Sequence, residues 1–109
     1  MADKNELLPG TLDMLVLRVL SRGELHGWGI TSRLEQLSRS ALQVDEGSLY
    51  PALYRMEAKG WIEADWRLTE NNRRAKYYAL TRTGRKQLEK EQAIWARTSS
   101  IINLVMETA

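Results

Sequence analysis

At Gly60 the spacing of apolar residues changes from every third or fourth position to every second, and near Thr81 it changes back. A period near 3.6 belongs to a helix with one buried face, and a period of 2 to a strand with one buried face. The switch therefore divides the chain into a helical part, a hairpin and a closing helix. In the first part Leu12, Leu15, Val16, Val19 and Leu20 mark one amphipathic helix, with Thr11 placed to cap it and Gly23 to stop it. Ile30, Leu34 and Leu37 mark a second, ended by Ser38-Arg39-Ser40. Leu42-Gln43-Val44 alternates briefly and predicts a short strand. Asp45 is placed to cap a third helix running to Lys59, with Gly60 as its stop and Leu49, Leu53 and Met56 as its stripe. Pro51 falls within about two turns of that start, where it costs less than in a helix centre.

The alternating part is a hairpin. Ile62, Ala64, Trp66 and Leu68 fall on one face of the first strand, and Glu63, Asp65 and Arg67 on the other. Lys76 to Leu80 alternates likewise, and Thr69 to Arg74 between them is a polar tip with a turn-forming Asn71-Asn72 pair. Thr81 or Thr83 then caps a final helix. The fold expected is mainly α with a small β-hairpin: a winged helix-turn-helix over residues 1–80, then a C-terminal dimerisation helix over 81–109.

Charge sharpens this. The net charge of 109 residues is only +2, but Arg67 to Lys86 holds seven basic residues against one acidic one. A basic block on an otherwise acidic body is the electrostatic footprint of a partner such as nucleic acid. The chain has no cysteine, which excludes disulfides and thiolate sites and suits a reducing compartment. Met1 to Glu6 is polar and the longest apolar run, Met14 to Leu17, is far too short to span a bilayer. A cytoplasmic protein without membrane contact is expected. His26 is the only histidine and has no metal-ligand spacing or nucleophile beside it, so its expected task is to begin the second helix. No carboxylate pair or phosphate loop is evident; the reading is not an enzyme, with no metal and no cofactor.

In a winged helix-turn-helix the helix before the hairpin enters the major groove and the hairpin tip reaches the flanking backbone or minor groove. Burying Leu49, Leu53 and Met56 turns Tyr50, Pro51, Tyr54, Arg55 and Ala58 outward. Hydroxyl and guanidinium groups there suit phosphates and base edges; the lesser alternative is that Tyr50 and Tyr54 pack on neighbouring elements. Arg73 and Arg74 stand at the tip. The alternative is a winged-helix protein-interaction module without DNA binding, for which a neutral or acidic wing would be expected.

Pro9-Gly10-Thr11-Leu12, His26-Gly27-Trp28, the run Gly47 to Glu57, Gly60-Trp61-Ile62 and Lys76 to Thr81 together resemble the PadR family of transcriptional regulators. The Ser48-Leu49-Tyr50-Pro51-Ala52-Leu53 motif is the most specific part, and Glu70 to Tyr78 is similar to a subgroup common in Acidobacteria. The resemblance covers Leu7 to Leu88. It implies a dimeric repressor whose third helix and wing contact an operator, here through Ser48, Tyr50, Pro51, Tyr54, Arg55, Arg73, Arg74 and Lys76. Tyr54 departs from the family, where a basic residue or histidine is commoner. The short C-terminal part resembles the subfamily with one dimerisation helix.

That last helix is more apolar than a helix at a domain edge requires. Leu88, Trp95 and Ile102 fall seven apart, as do Ile94 and Ile101, and Val105 follows. Gln92 and Ser99 interrupt the seam, which favours helix-on-helix packing over an extended coiled coil. A homodimer is expected, with Leu88, Trp95, Ile101, Ile102 and Val105 at the interface and a pseudo-palindromic double-stranded DNA operator as partner; the competing expectation is that this face folds back on its own domain. Paired Trp95 rings would either fill the interface or form a slot for an aromatic small-molecule effector that releases the protein from DNA.

Overall fold

The structure is a computed structural model and describes residues 10–109. The sequence expectation at Pro9 and before lies outside the described residues. Four helices and a small sheet follow one another as α1 (Thr11–Leu20), β1 (Leu25–His26), α2 (Gly27–Leu37), α3 (Glu46–Ala58), β2 (Ile62–Leu68), β3 (Arg74–Leu80) and α4 (Arg82–Thr108). This is the expected winged helix-turn-helix with a C-terminal helix. The sheet is antiparallel with β3 in the middle, paired to β2 along its whole length from Ile62↔Leu80 to Leu68↔Arg74.

The third strand is not where the sequence placed it. Leu42 to Val44 forms no strand; the two residues of β1 pair with β3 instead, as Leu25↔Tyr78 and His26↔Tyr77. After α2 the chain passes through left-handed conformations at Arg39 and Ser40, and the Leu42 N–H donates to Ser38 Oγ (3.0 Å). That turn satisfies the backbone locally, and Leu42 and Val44 are used as partly buried packing against the core.

α1 starts at Thr11 with Gly10, not Thr11, at its N-cap and no side-chain cap, whereas side-chain caps set the starts of α2, α3 and α4. His26 Nδ1 accepts from the Gly29 N–H (3.0 Å), Asp45 Oδ1 from the Ser48 N–H (2.8 Å) and Thr81 Oγ1 from the Gly84 N–H (3.0 Å). Each satisfies an N–H that the first turn leaves without a partner. The core draws Val16, Leu17, Val19 and Leu20 from α1, Ile30 and Leu34 from α2, Leu49, Ala52, Leu53 and Met56 from α3, and Ile62 and Tyr78 from the sheet.

Leu88 joins this core, only 4% exposed. The expectation that it lies at a dimer interface is corrected here: the seven-residue series it begins starts inside its own domain, because α4 packs against α1 and its first turn lies against Trp61 and Leu80. Gly84 makes that approach possible, since a Cβ there would collide with the Trp61 carbonyl oxygen. The Thr81 hydroxyl is shared between the carbonyls of Gly60 (2.6 Å) and Trp61 (2.9 Å), binding the start of α4 to the base of β2. The whole 27-residue helix is roughly 40 Å long at 1.5 Å per residue, and its far end projects past the domain. Its apolar residues Ile94, Trp95, Ile101, Ile102, Leu104, Val105 and Met106 are all exposed.

Candidate nucleic-acid interface

Burial of Leu49, Ala52, Leu53 and Met56 fixes the rotation of α3, and Ser48, Tyr50, Pro51, Tyr54 and Arg55 face outward. The helix continues through Pro51 to Ala58 without a break. Proline has no N–H to give to the carbonyl of Gly47, and Gly47 is itself exposed, so water can satisfy that oxygen. Tyr54 is 78% exposed and stands clear of its neighbours. Tyr50 does two things. About half of it is exposed, while its phenol end lies against Gly27 at the start of α2, where a Cβ would strike the hydroxyl.

Two basic residues expected at the interface are already engaged within the chain. Arg55 Nη2 donates to Asp13 Oδ1 of α1 (2.9 Å), and Lys76 Nζ donates to Glu57 Oε1 of α3 (3.1 Å). The hydrogen bond it gives to Glu57 raises the pKa of the Lys76 ammonium above its usual value. Arg73 and Arg74 are both exposed and neither is in an ion pair among the described residues. Arg74 stacks its guanidinium over the Trp66 ring, 5.5 Å from the centroid. The tip is closed tightly: the Thr69 N–H donates to the Arg73 carbonyl (2.7 Å), the Asn72 N–H to the Thr69 carbonyl (2.9 Å), and Asn72 sits at φ 61°. Asn72 is thus a turn former, since asparagine tolerates this region better than most residues.

Three features were not read from the sequence. Behind the wing, Arg67 donates to Glu24 (2.7 Å), lies 3.3 Å from Asp65 and stacks on Tyr77 (4.4 Å). The hydrogen bond from Arg67 pulls the Glu24 carboxyl below its usual range. Trp28, in the first turn of α2, is 74% exposed. A groove of about 800 Å³ runs between the wing and the start of α2, lined among others by His26, Trp28, Tyr50, Trp66, Arg74 and Lys76. The apolar alternation of β2 was the available signal for Trp66, because it runs farther than the core does. No sequence signal marked the Glu24–Arg67 pair, whose members are 43 positions apart.

At the other end of the molecule, Trp95 lines a smaller cavity of about 190 Å³ with Gly10, Thr11 and Met14 of the α1 region and Glu91, Ile94 and Thr98 of α4. Among the described residues no helix is long and apolar enough to cross a membrane.

Residues 16–90 match the Transcriptional regulator PadR-like family. A transcriptional regulator of Mycobacterium tuberculosis is 34% identical over 77 residues, which are 71% of this chain and 68% of that protein. An uncharacterised transposon protein of Streptomyces fradiae is 43% identical over 86 residues, covering 79% of this chain but only 23% of that protein's length. The crystal structure of a PadR-like transcriptional regulator from Bacillus cereus superposes with a TM-score of 0.81 at 28% identity, covering 96% of this chain and all of that one.

Proposed function

The chain belongs to the PadR-like family of transcriptional regulators, and from that premise we propose that it is a sequence-specific DNA-binding repressor acting as a homodimer. One observation carries the DNA reading. The outward face of α3, with Tyr50 and Tyr54, adjoins a tightly closed wing whose Arg73 and Arg74 are exposed and in no ion pair among the described residues. Tyrosine hydroxyls and Ser48 on α3 suit phosphates and base edges in a major groove, and arginines on a wing suit the adjoining backbone. Arg55 and Lys76 serve first to brace α3 against α1 and the wing, and reach phosphate only by leaving Asp13 and Glu57.

In this reading residues 1–80 hold the DNA contacts and 81–109 the pairing surface, with Gly84 and Leu88 anchoring one to the other. The exposed apolar stripe of α4, including Trp95, Ile101, Ile102 and Val105, supports pairing, since an uncovered apolar patch of this kind marks an interface. Two-fold symmetry then asks for a pseudo-palindromic operator with half-sites about 34–36 Å apart. The cavity beside Trp95, where α4 meets α1, supports an effector site for a flat aromatic molecule. An occupant there that favours one arrangement of the paired helices would change the separation of the two α3 helices.

Selection of binding sites from random duplexes, followed by affinity measured against salt, tests the function. The expected result is a dyad-symmetric site and a steep fall of affinity with salt, because phosphate contacts release counterions. Failure to enrich any duplex, with a salt-insensitive protein partner in its place, would establish the protein-interaction module instead.

A further inference from the structure

Trp66 and Leu68 are 58% and 62% exposed, yet they lie on the same face of β2 as Ile62, which is fully in the core. A seven-residue strand is roughly 23 Å long, and only its first part has a core beneath it. Past Ala64 the apolar face overhangs. Its direction is fixed by Lys76, paired with Trp66 in the ladder, which reaches Glu57 on α3; Trp66 and Tyr50 line one groove. The overhang therefore lies on the α3 side of the sheet, and its Trp66 shares a groove with Tyr50 of α3. Leu68 is the last residue before the closed tip and is paired across the strands with Arg74, whose guanidinium covers Trp66.

An apolar pair on a tightly closed hairpin, set beside Arg73 and Arg74, which are exposed and in no ion pair among the described residues, has a charge suited to a polyanion with an apolar interior. A duplex is such a partner: phosphate outside, stacked bases within. We propose that Leu68, braced by Trp66 and Arg74, is a wedge that the wing presses between base pairs from the minor groove, so that the protein kinks its site as it binds. The inference rests on the DNA-binding reading above. Apolar wedges of this kind partly unstack one base step and bend the duplex by about 20–90° toward the major groove. Pyrimidine–purine steps yield most easily, so the wedge selects such a step at the wing position without any hydrogen bond to a base.

The test uses the full chain and a duplex carrying its selected site, end-labelled for energy transfer, with 2-aminopurine at the step under the wing. The wild type should shorten the end-to-end distance and raise the 2-aminopurine emission. Leu68→Ala should bind within a few-fold of wild type but lose most of both signals, and Leu68→Met should retain them. Leu68→Gln, similar in size but polar, should behave like the alanine variant and guards against a folding defect. A straight duplex under the wild type, or equal bending by Leu68→Ala and wild type, overturns the wedge while leaving DNA binding intact. Absence of any salt-dependent duplex binding overturns both. Leu68-dependent binding to anionic phospholipid vesicles, without duplex bending, would assign this face to a lipid surface and also overturn the wedge.

Discussion

The four basic residues expected at the DNA surface divide into two pairs, and salt dependence separates them. Arg73 and Arg74 have no carboxylate partner among the described residues, whereas Arg55 and Lys76 are held by Asp13 and Glu57 at 2.9 and 3.1 Å. Replacing either pair with alanine removes the same charge of two, so bulk attraction to DNA falls equally. What differs is counterion release. Each phosphate contact contributes about 0.9 to the slope of log affinity against log salt, so losing both wing arginines should flatten the slope by about 1.8. Between 50 and 200 mM salt, a fourfold change, the wild type should lose about twelvefold more affinity than Arg73→Ala/Arg74→Ala. Arg55→Ala/Lys76→Ala should flatten the slope by well under half as much, because those cations meet phosphate only by giving up a carboxylate. Glu57→Gln supplies the converse: with Lys76 freed, the slope should steepen, approaching 0.9 for full engagement. The partly exposed pairs are worth only about 0.2–1 kcal/mol each to folding, so these variants should remain folded. Fluorescence anisotropy of a labelled operator across a salt series is the assay. Equal flattening by the two double variants, with no change for Glu57→Gln, would refute the division.

Three further outcomes follow from the packing and the charges. Gly84→Ala places a methyl against the Trp61 carbonyl and should lower stability by about 1–3 kcal/mol, as other overpacked sites do, read as a fall in Tm. Ile102→Lys puts a charge in the exposed stripe of α4 and should shift sedimentation toward monomer without changing the helix content of the domain; an unchanged dimer would remove Ile102 from the interface. Glu24 has a folded pKa below its ordinary value of 4.5, so its pairing with Arg67 stabilises the fold above that pH and the benefit is lost as pH falls through the lowered value. Glu24→Gln should therefore be less stable than wild type at neutral pH and indistinguishable from it in acid, as followed by urea denaturation at several pH values.

Much of the architecture could be read from spacing alone. The change of period at Gly60 placed the hairpin, and Asp45 and Thr81 stood where cap acceptors were needed, because both signals act within a few residues of themselves. β1 escaped because two residues have no period; it exists only where β3 offers an edge after folding. Leu42 to Val44 showed the opposite error, as an alternation too short to distinguish a strand from an extended packing loop. Leu88 was misplaced because a seven-residue series does not say which of its members lies over the domain and which beyond it. The engagement of Arg55 with Asp13 spans 42 positions, a proximity that only tertiary packing creates. Helical-wheel arithmetic could turn Arg55 outward but could not reveal what waited there.

The joint at Thr81 governs how the molecule can vary. β3 ends at Leu80 and α4 begins at Arg82, with the Thr81 hydroxyl shared by two carbonyls of the turn between α3 and β2, so no loop lies between the wing and the long helix. The long helix is then a crankshaft without a bearing. Adding one residue between Leu88 and Trp95 would advance the distal stripe by about 1.5 Å and swing it by about 100° relative to the wing. Adding seven would leave it within about 20° of its former bearing. Lengths in this stretch should therefore be quantised in near-whole turns, and two copies that differ by a single residue there would present their α3 helices out of phase with any common duplex.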